Sequence, residues 1–132
     1  MLYPVHKNPR IIRLANQILS GLENVKLLEP LDVRSFHYLL KKSRFVLTDS
    51  GGVQEEAAFL GKPVLVVRDN TERPEGASCG TLNIIGSKEA VVYDNIKRLF
   101  FDEDAYRTAS VQCNCFGDGK ASERIVEILK KI

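Results

Sequence analysis

Phe45-Val-Leu-Thr-Asp-Ser-Gly-Gly-Val-Gln-Glu-Glu-Ala-Ala-Phe-Leu60 decides how this chain folds. Phe45–Thr48 is an apolar run of strand length, Asp49 to Gly52 are small residues suited to a turn, and Val53 to Leu60 read as a helix. Gly61-Lys-Pro63 then turns the chain into Val64–Val67, a short valine-rich run that reads as a buried strand. A strand, a helix and another strand in succession predict a parallel pair joined by a right-handed crossover.

The alternation continues in both directions. Upstream, Leu2–Val5 and Val25–Leu28 read as strands. Between them Asn8-Pro9 open a helix whose Ile11, Ile12, Leu14, Ala15, Ile18 and Leu19 recur at three- and four-residue spacing, with Gly21 near its end. Asp32 is placed to cap a helix that runs to Ser43 and turns Phe36, Leu39 and Leu40 inward. Downstream, Arg68–Gly80 lacks periodicity and reads as a loop with room for one helical turn. Thr81–Ile85 forms a fifth strand, and helices follow at about 88–101, 103–110 and 120–131. The expectation is one α/β domain over residues 1–132, a parallel sheet of about five strands with helices on both faces. Such a sheet is thin, and the chain starts inside a strand, so the sequence reads as a portion of something larger.

Composition narrows the class. With 44% hydrophobic and 27% charged residues among 132, the chain can bury a core and is not a disordered tail. Its apolar runs are far shorter than the roughly 20 residues of a membrane span, and no secretion signal stands at the N-terminus. Three cysteines without a framework spacing predict free thiols in a reducing cytoplasm. Net charge is 19 − 17 = +2, too small to imply a nucleic-acid partner. It is unevenly spread: eight basic and three acidic residues over 1–44, three and six over 45–78, and eight of each over 79–132. The segment 45–78 is therefore locally acidic, and any anion bound there must be held by specific donors.

Those donors are predicted at the turn after the third strand. In an open parallel sheet, ligands bind outside the carboxyl ends of the strands. Gly51 and Gly52 permit positive φ and let a ligand approach the backbone. The unpaired amides of the first helical turn, with the helix dipole behind them, suit a phosphate. Ser50 either adds its hydroxyl or caps the helix. One of Glu55 and Glu56 has the acceptor chemistry to take hydrogen bonds from vicinal ribose hydroxyls, although placement near a helix N-terminus is reason enough for both. The turn is neither G-x-G-x-x-G nor a Walker A loop, which disfavours NAD and ATP. Arg68-Asp-Asn-Thr-Glu-Arg-Pro-Glu75 follows the next strand; its arginines either bind phosphate bidentately or pair with Glu72 and Glu75 as surface charges do.

Together, Leu47-Thr-Asp-Ser-Gly-Gly-Val-Gln-Glu-Glu-Ala57, Leu60-Gly-Lys-Pro-Val-Leu65 and Arg68–Glu75 closely resemble the non-hydrolysing UDP-N-acetylglucosamine 2-epimerases. Tyr3-Pro-Val-His-Lys-Asn-Pro9 and Phe116-Gly-Asp-Gly119 resemble that family's flanking motifs, in the same order. The resemblance implies a Rossmann-like domain equivalent to part of the C-terminal domain of a glycosyltransferase-B-type fold. The implied chemistry is interconversion of UDP-GlcNAc and UDP-ManNAc by elimination and re-addition of UDP, in cell-surface polysaccharide biosynthesis, without cofactor or metal. It implies that Ser50, Gly51 and Gly52 cradle the diphosphate, Glu56 holds the ribose, Arg73 contacts the nucleotide and Phe36 lies near the uracil. Leu31 stands where the family often has a glutamine. His6 matches a histidine near a regulatory second substrate site, while His37 reads as structural.

No counterpart of the family's N-terminal domain, or of its Gly-His-Arg-Arg-Glu-like catalytic segment, is found, so no catalytic residue is assigned. The expected partners are UDP or a UDP-N-acetylhexosamine, a complementary N-terminal chain and a second copy of this chain; a non-catalytic UDP-sugar-binding or interaction module is the alternative. Cys113-Asn-Cys115 could suggest a metal, but Cys79 is the only other thiol and no histidine follows at ligand spacing, so none is expected. Asp118 reads as support for its Gly-Asp-Gly turn.

Overall fold

In the computed structural model, which describes residues 1–132, five short parallel strands alternate with helices. The strands are β1 (Leu2–Pro4), β2 (Lys26–Leu28), β3 (Val46–Thr48), β4 (Val64–Val66) and β5 (Leu82–Ile84). The helices are α1 (Pro9–Leu19), α2 (Val33–Lys42), α3 (Gly51–Phe59), α4 (Pro74–Ser78), α5 (Glu89–Phe101), α6 (Glu103–Ala109) and α7 (Ala121–Leu129). Every predicted element is present within a few residues of its expected bounds, and α4 is the single turn for which Arg68–Gly80 had room.

The strands form two parallel sheets, one of β1 and β2 and one ordered β3-β4-β5. The expected five-stranded sheet is thus divided, because the β2–α2–β3 step does not return to a paired neighbour as the other strand–helix–strand steps do. The chain likewise separates into two compact units, Met1–Tyr38 and Leu39–Ile132.

In the first unit, β1 and β2 align Leu2 with Lys26 and Pro4 with Leu28. Asn8 caps α1, its Oδ1 accepting the Arg10 N–H at 2.9 Å, and Pro9 takes the first helical position, where a missing N–H costs nothing. Ala15 and Val5 are buried, but Ile12, Leu14 and Ile18 of the apolar stripe are exposed. Asp32 caps the start of α2 as predicted: Oδ1 accepts the N–H groups of Arg34 (3.0 Å) and Ser35 (3.1 Å), and Oδ2 accepts the Ser35 hydroxyl at 2.6 Å.

In the second unit, β4 is the central strand, and Val64, Leu65 and Val66 are all fully buried. A strand covered on both faces needs this continuous apolar run rather than an alternating one. Leu65 packs with Leu99 of α5 and Ala109 of α6, and Phe45, Ile85 and Ile96 close around them. Arg44 ties this layer together. Its Nε donates to the Leu99 carbonyl at 3.1 Å, its Nη2 to Glu103 at 2.8 Å, and its guanidinium lies 4.1 Å from the Tyr106 ring centre.

Two cysteines depart from the expectation of free thiols. Cys79 and Cys113 form a disulfide, leaving Cys115 free and exposed. Their separation of 34 residues gave no hint of the pairing. Thr81 Oγ1 donates to the Val111 carbonyl at 2.6 Å and brings the two segments together, while the Cys113 N–H donates to the Ala58 carbonyl of α3 at 3.0 Å.

Candidate functional site

β3 ends at Thr48 and α3 begins at Gly51, so only Asp49 and Ser50 separate the carboxyl end of a strand from the N-terminus of a helix. Thr48 Oγ1 accepts the Ser50 N–H at 3.1 Å and fixes this turn. Ser50 occupies the cap position with an extended backbone, but its side chain makes no capping bond, so the hydroxyl is available. Gln54 donates the first amide bond back into the turn, to the Ser50 carbonyl at 3.1 Å. The N–H groups of Gly51, Gly52 and Val53 have no backbone acceptor, as the first turn of a helix dictates. One hydroxyl and three amides therefore converge on one end of α3, with its dipole adding partial positive charge.

The glycines serve differently from the expectation of positive φ. Neither Gly51 nor Gly52 has positive φ, because both are already helical. What matters is the absent side chain. A Cβ on Gly51 would lie 3.1 Å from both Cζ and Nη2 of Arg73, whereas nothing lies within 4 Å of that position on Gly52. Gly51 admits the guanidinium; Gly52 leaves open space.

Arg73 precedes α4 at its cap position. Its Nε donates to Glu55 Oε1 at 2.7 Å and its Nη1 to Glu72 Oε2 at 3.2 Å. Arg68 pairs with Glu72 at 2.7 Å. The surface-pairing alternative for this loop is therefore realised through Glu72, while Arg73 reaches across to α3. Glu55, rather than Glu56, is the α3 carboxylate on Arg73, and Glu56 is half-buried one residue further on. Partly exposed pairs of this kind are worth about 0.2–1 kcal/mol. A phosphate accepting two parallel bonds from the guanidinium can replace one at little cost.

Two residues that sequence reasoning passed over set the position of Arg73. Gln54 is only 1% exposed, and its Oε1 accepts the Thr71 hydroxyl at 3.1 Å; Thr71 Oγ1 in turn accepts the Arg73 N–H at 3.0 Å. A signal for Gln54 existed: it lies three and four residues before the buried Ala57 and Ala58, on the inward face of α3. Asp118 supports its turn as predicted, accepting the Lys120 N–H at 3.1 Å and Arg124 Nη1 at 3.0 Å. Arg124 holds the Asp118 carboxyl below its ordinary value.

Phe36 and His6 belong to the first unit. Phe36 is half-buried on α2, and His6 is exposed, its Nδ1 accepting the Asn8 N–H at 3.1 Å in the turn that leads into α1. A recess of about 740 Å³ over α5, lined by Ser87, Glu89, Tyr93 and Ile96 among others, shares no residue with the α3 N-terminus. No helix is long and apolar enough to cross a membrane.

Parallel strands flanked by helices, with a helix N-terminus opening at a strand's carboxyl end, define a Rossmann-like α/β protein. The chain belongs to the UDP-N-acetylglucosamine 2-epimerase family, whose model matches residues 1–130. It is 52% identical over 129 residues to the UDP-N-acetylglucosamine 2-epimerase of Bacillus subtilis, a match covering 98% of this chain and 34% of that protein. Among solved structures, the S. aureus MnaA–UDP co-structure superposes with a TM-score of 0.90 at 52% identity, covering 98% of this chain and 35% of that one. The UDP-GlcNAc 2-epimerase of Neisseria meningitidis bound to UDP-GlcNAc gives 0.93 at 42%, covering 99% and 35%. The chain thus spans about a third of the length of these relatives.

Proposed function

We propose that this chain is the UDP-binding, C-terminal-type portion of a UDP-N-acetylglucosamine 2-epimerase. Ser50, Gly51, Gly52 and Arg73 grip the diphosphate of UDP or a UDP-N-acetylhexosamine, and Glu56 accepts the ribose hydroxyls. The observation that carries this reading is the guanidinium of Arg73 set against Gly51 beside three amides that lack acceptors. Fixed amides and an arginine suit a leaving diphosphate, because they stabilise charge that grows as the bond to carbon breaks. The chemistry calls for no metal or nicotinamide. The roles of Phe36 near the uracil and of His6 at a regulatory substrate site rest on the resemblance alone.

In this reading residues 1–132 act in the cytoplasm as one nucleotide-binding portion, in cell-surface polysaccharide biosynthesis, and do not epimerise by themselves. General acid–base groups contribute roughly 10²–10⁴-fold each, and the motifs matched here supply none. Turnover then needs a complementary N-terminal chain. Partners of this kind, or self-association, fit the exposed Ile125, Ile128 and Leu129 of α7 and the open edges of β3 and β5. That exposed face is also what favours the alternative, a non-catalytic UDP-sugar-binding or interaction module.

Incubating the purified chain with UDP-GlcNAc and following UDP-ManNAc by NMR tests the catalytic half of this proposal; none should form, and sustained turnover would refute it. Calorimetric titration with UDP tests the binding half, which predicts saturable heat. Restored turnover on adding the N-terminal two-thirds of a relative would separate a split enzyme from a plain binder.

A further inference from the structure

We propose that the reduced chain binds one thiophilic d¹⁰ metal ion of the zinc class through Cys79, Cys113 and Cys115. The three Sγ atoms lie within 4.8 Å of one another, although Cys79 is remote in sequence from the other two. Zinc binds thiolate at about 2.3 Å, which places the sulfurs of a three-thiolate site about 4 Å apart. The cluster is within a small movement of that arrangement. Its donors are all sulfur, with no carboxylate or imidazole among them, and such a set selects soft ions over magnesium or calcium.

Hydrogen bonds as well as the disulfide hold the segments that carry these sulfurs. Cys79 ends α4, its N–H bonded to the Glu75 carbonyl at 3.1 Å. The Cys113 N–H is bonded to the Ala58 carbonyl at 3.0 Å, and Thr81 Oγ1 to the Val111 carbonyl at 2.6 Å, so the Cys113 segment is tied both to α3 and to Thr81, two residues after Cys79. Cys113 is buried and Cys115 exposed, which gives the site an anchored wall and a side open to an entering ion and a fourth, solvent ligand. A disulfide uses two sulfurs and has no need of a third; a thiolate metal site uses all three. Neighbours in sequence offered only Cys113 and Cys115, and the fold supplies the missing ligand.

Loading starts from the oxidised chain. A dithiol reductant transfers two electrons and two protons to the Cys79–Cys113 bond and is itself oxidised to a disulfide, which yields three thiols with Cys115. Binding of the divalent ion then expels three protons, one per thiolate formed.

The test uses the full chain, reduced and freed of reductant under argon, titrated with cadmium and then with zinc. We expect cadmium–thiolate charge-transfer absorption that saturates at one ion per chain, release of three protons per ion, and competition from zinc only in excess. Cys115→Ser removes an exposed sulfur and leaves the fold intact by circular dichroism; it should weaken cadmium binding at least ten-fold, as should Cys79→Ser. Absence of the absorption would overturn the proposal, and so would an absorption unchanged by Cys115→Ser.

Discussion

Arg73 fills the space that a side chain on Gly51 would need: its Cζ and Nη2 both stand 3.1 Å from the ideal Cβ position. The contact joins the loop after β4 to the first turn of α3, where unpaired amides already favour an anion. The absent side chain at 51 thus eases an approach between two protein groups, since an added Cβ would push the guanidinium back by a few tenths of an ångström, and the helical backbone there would accept any residue. Arg73 is one of only three basic residues against six acidic over 45–78, so its placement decides where positive charge stands in that stretch.

Removing the guanidinium should therefore weaken UDP. A hydrogen bond to a charged group is worth about 1.5–3 kcal/mol, so Arg73→Ala should raise the Kd by at least about ten-fold in calorimetry. Arg73→Lys should recover only part, because an ammonium lacks the planar fork. Gly51→Ala should also raise the Kd, although alanine is the better helix former by about 1 kcal/mol and thermal stability should hold or rise. Unchanged affinity in Gly51→Ala would show that the Arg73 position is irrelevant to binding.

The Gln54–Thr71–Arg73 chain should act on affinity through position alone. Thr71→Ala leaves the buried Gln54 carbonyl oxygen and the Arg73 amide without their partner, at a cost of about 1–3 kcal/mol in denaturant unfolding. It should raise the Kd for UDP several-fold with Arg73 still present. A stability loss with no change in Kd would make the chain purely structural.

The sequence made the order of elements legible because each signal was local. The stripe of α1, the Asp32 cap and the Gly61-Lys-Pro63 turn each lie within a dozen residues of the structure they specify. What was hidden is non-local. That Glu55 would take Arg73 and that Gln54 would anchor Thr71 both depend on where the Arg68–Gly80 loop folds back, which its lack of periodicity does not specify. The Cys79–Cys113 pairing and the division into two sheets are hidden for the same reason: pairing across long separations is set by tertiary packing.

Gly76 should be the least tolerant glycine. It is buried in α4, and a Cβ there would lie 2.3 Å from Leu82 Cδ1 and 2.8 Å from Phe116 Cζ. Gly76→Ala must displace the Leu82 and Phe116 side chains or the backbone of α4, and overpacking of this kind costs typically 1–3 kcal/mol. A lower denaturant midpoint checks this; wild-type stability would contradict it.

Two surface carboxylates set a small acid response. Hydrogen bonds from the Ser35 hydroxyl and amide hold Asp32 below its ordinary 3.8, and Arg124 does the same for Asp118. A group lowered on folding contributes its stability above the unfolded value and loses it as pH falls through the folded one. Both contributions should therefore be complete above 3.8 and fade below it. Asp32→Asn keeps a capping acceptor without the titration, so its urea midpoint should fall less than that of the parent chain below that pH.

The most direct measurement is the amide spectrum of the chain by two-dimensional NMR as UDP is added. Diphosphate held at the start of α3 predicts saturable shifts largest at Gly51, Gly52 and Val53, with the Arg73 Nε–H shifting alongside them, and the same amide shifts in Arg73→Ala should saturate only at about ten-fold higher UDP or more. Shifts confined to other elements, or an α3 N-terminus that stays silent at saturating UDP, would contradict it.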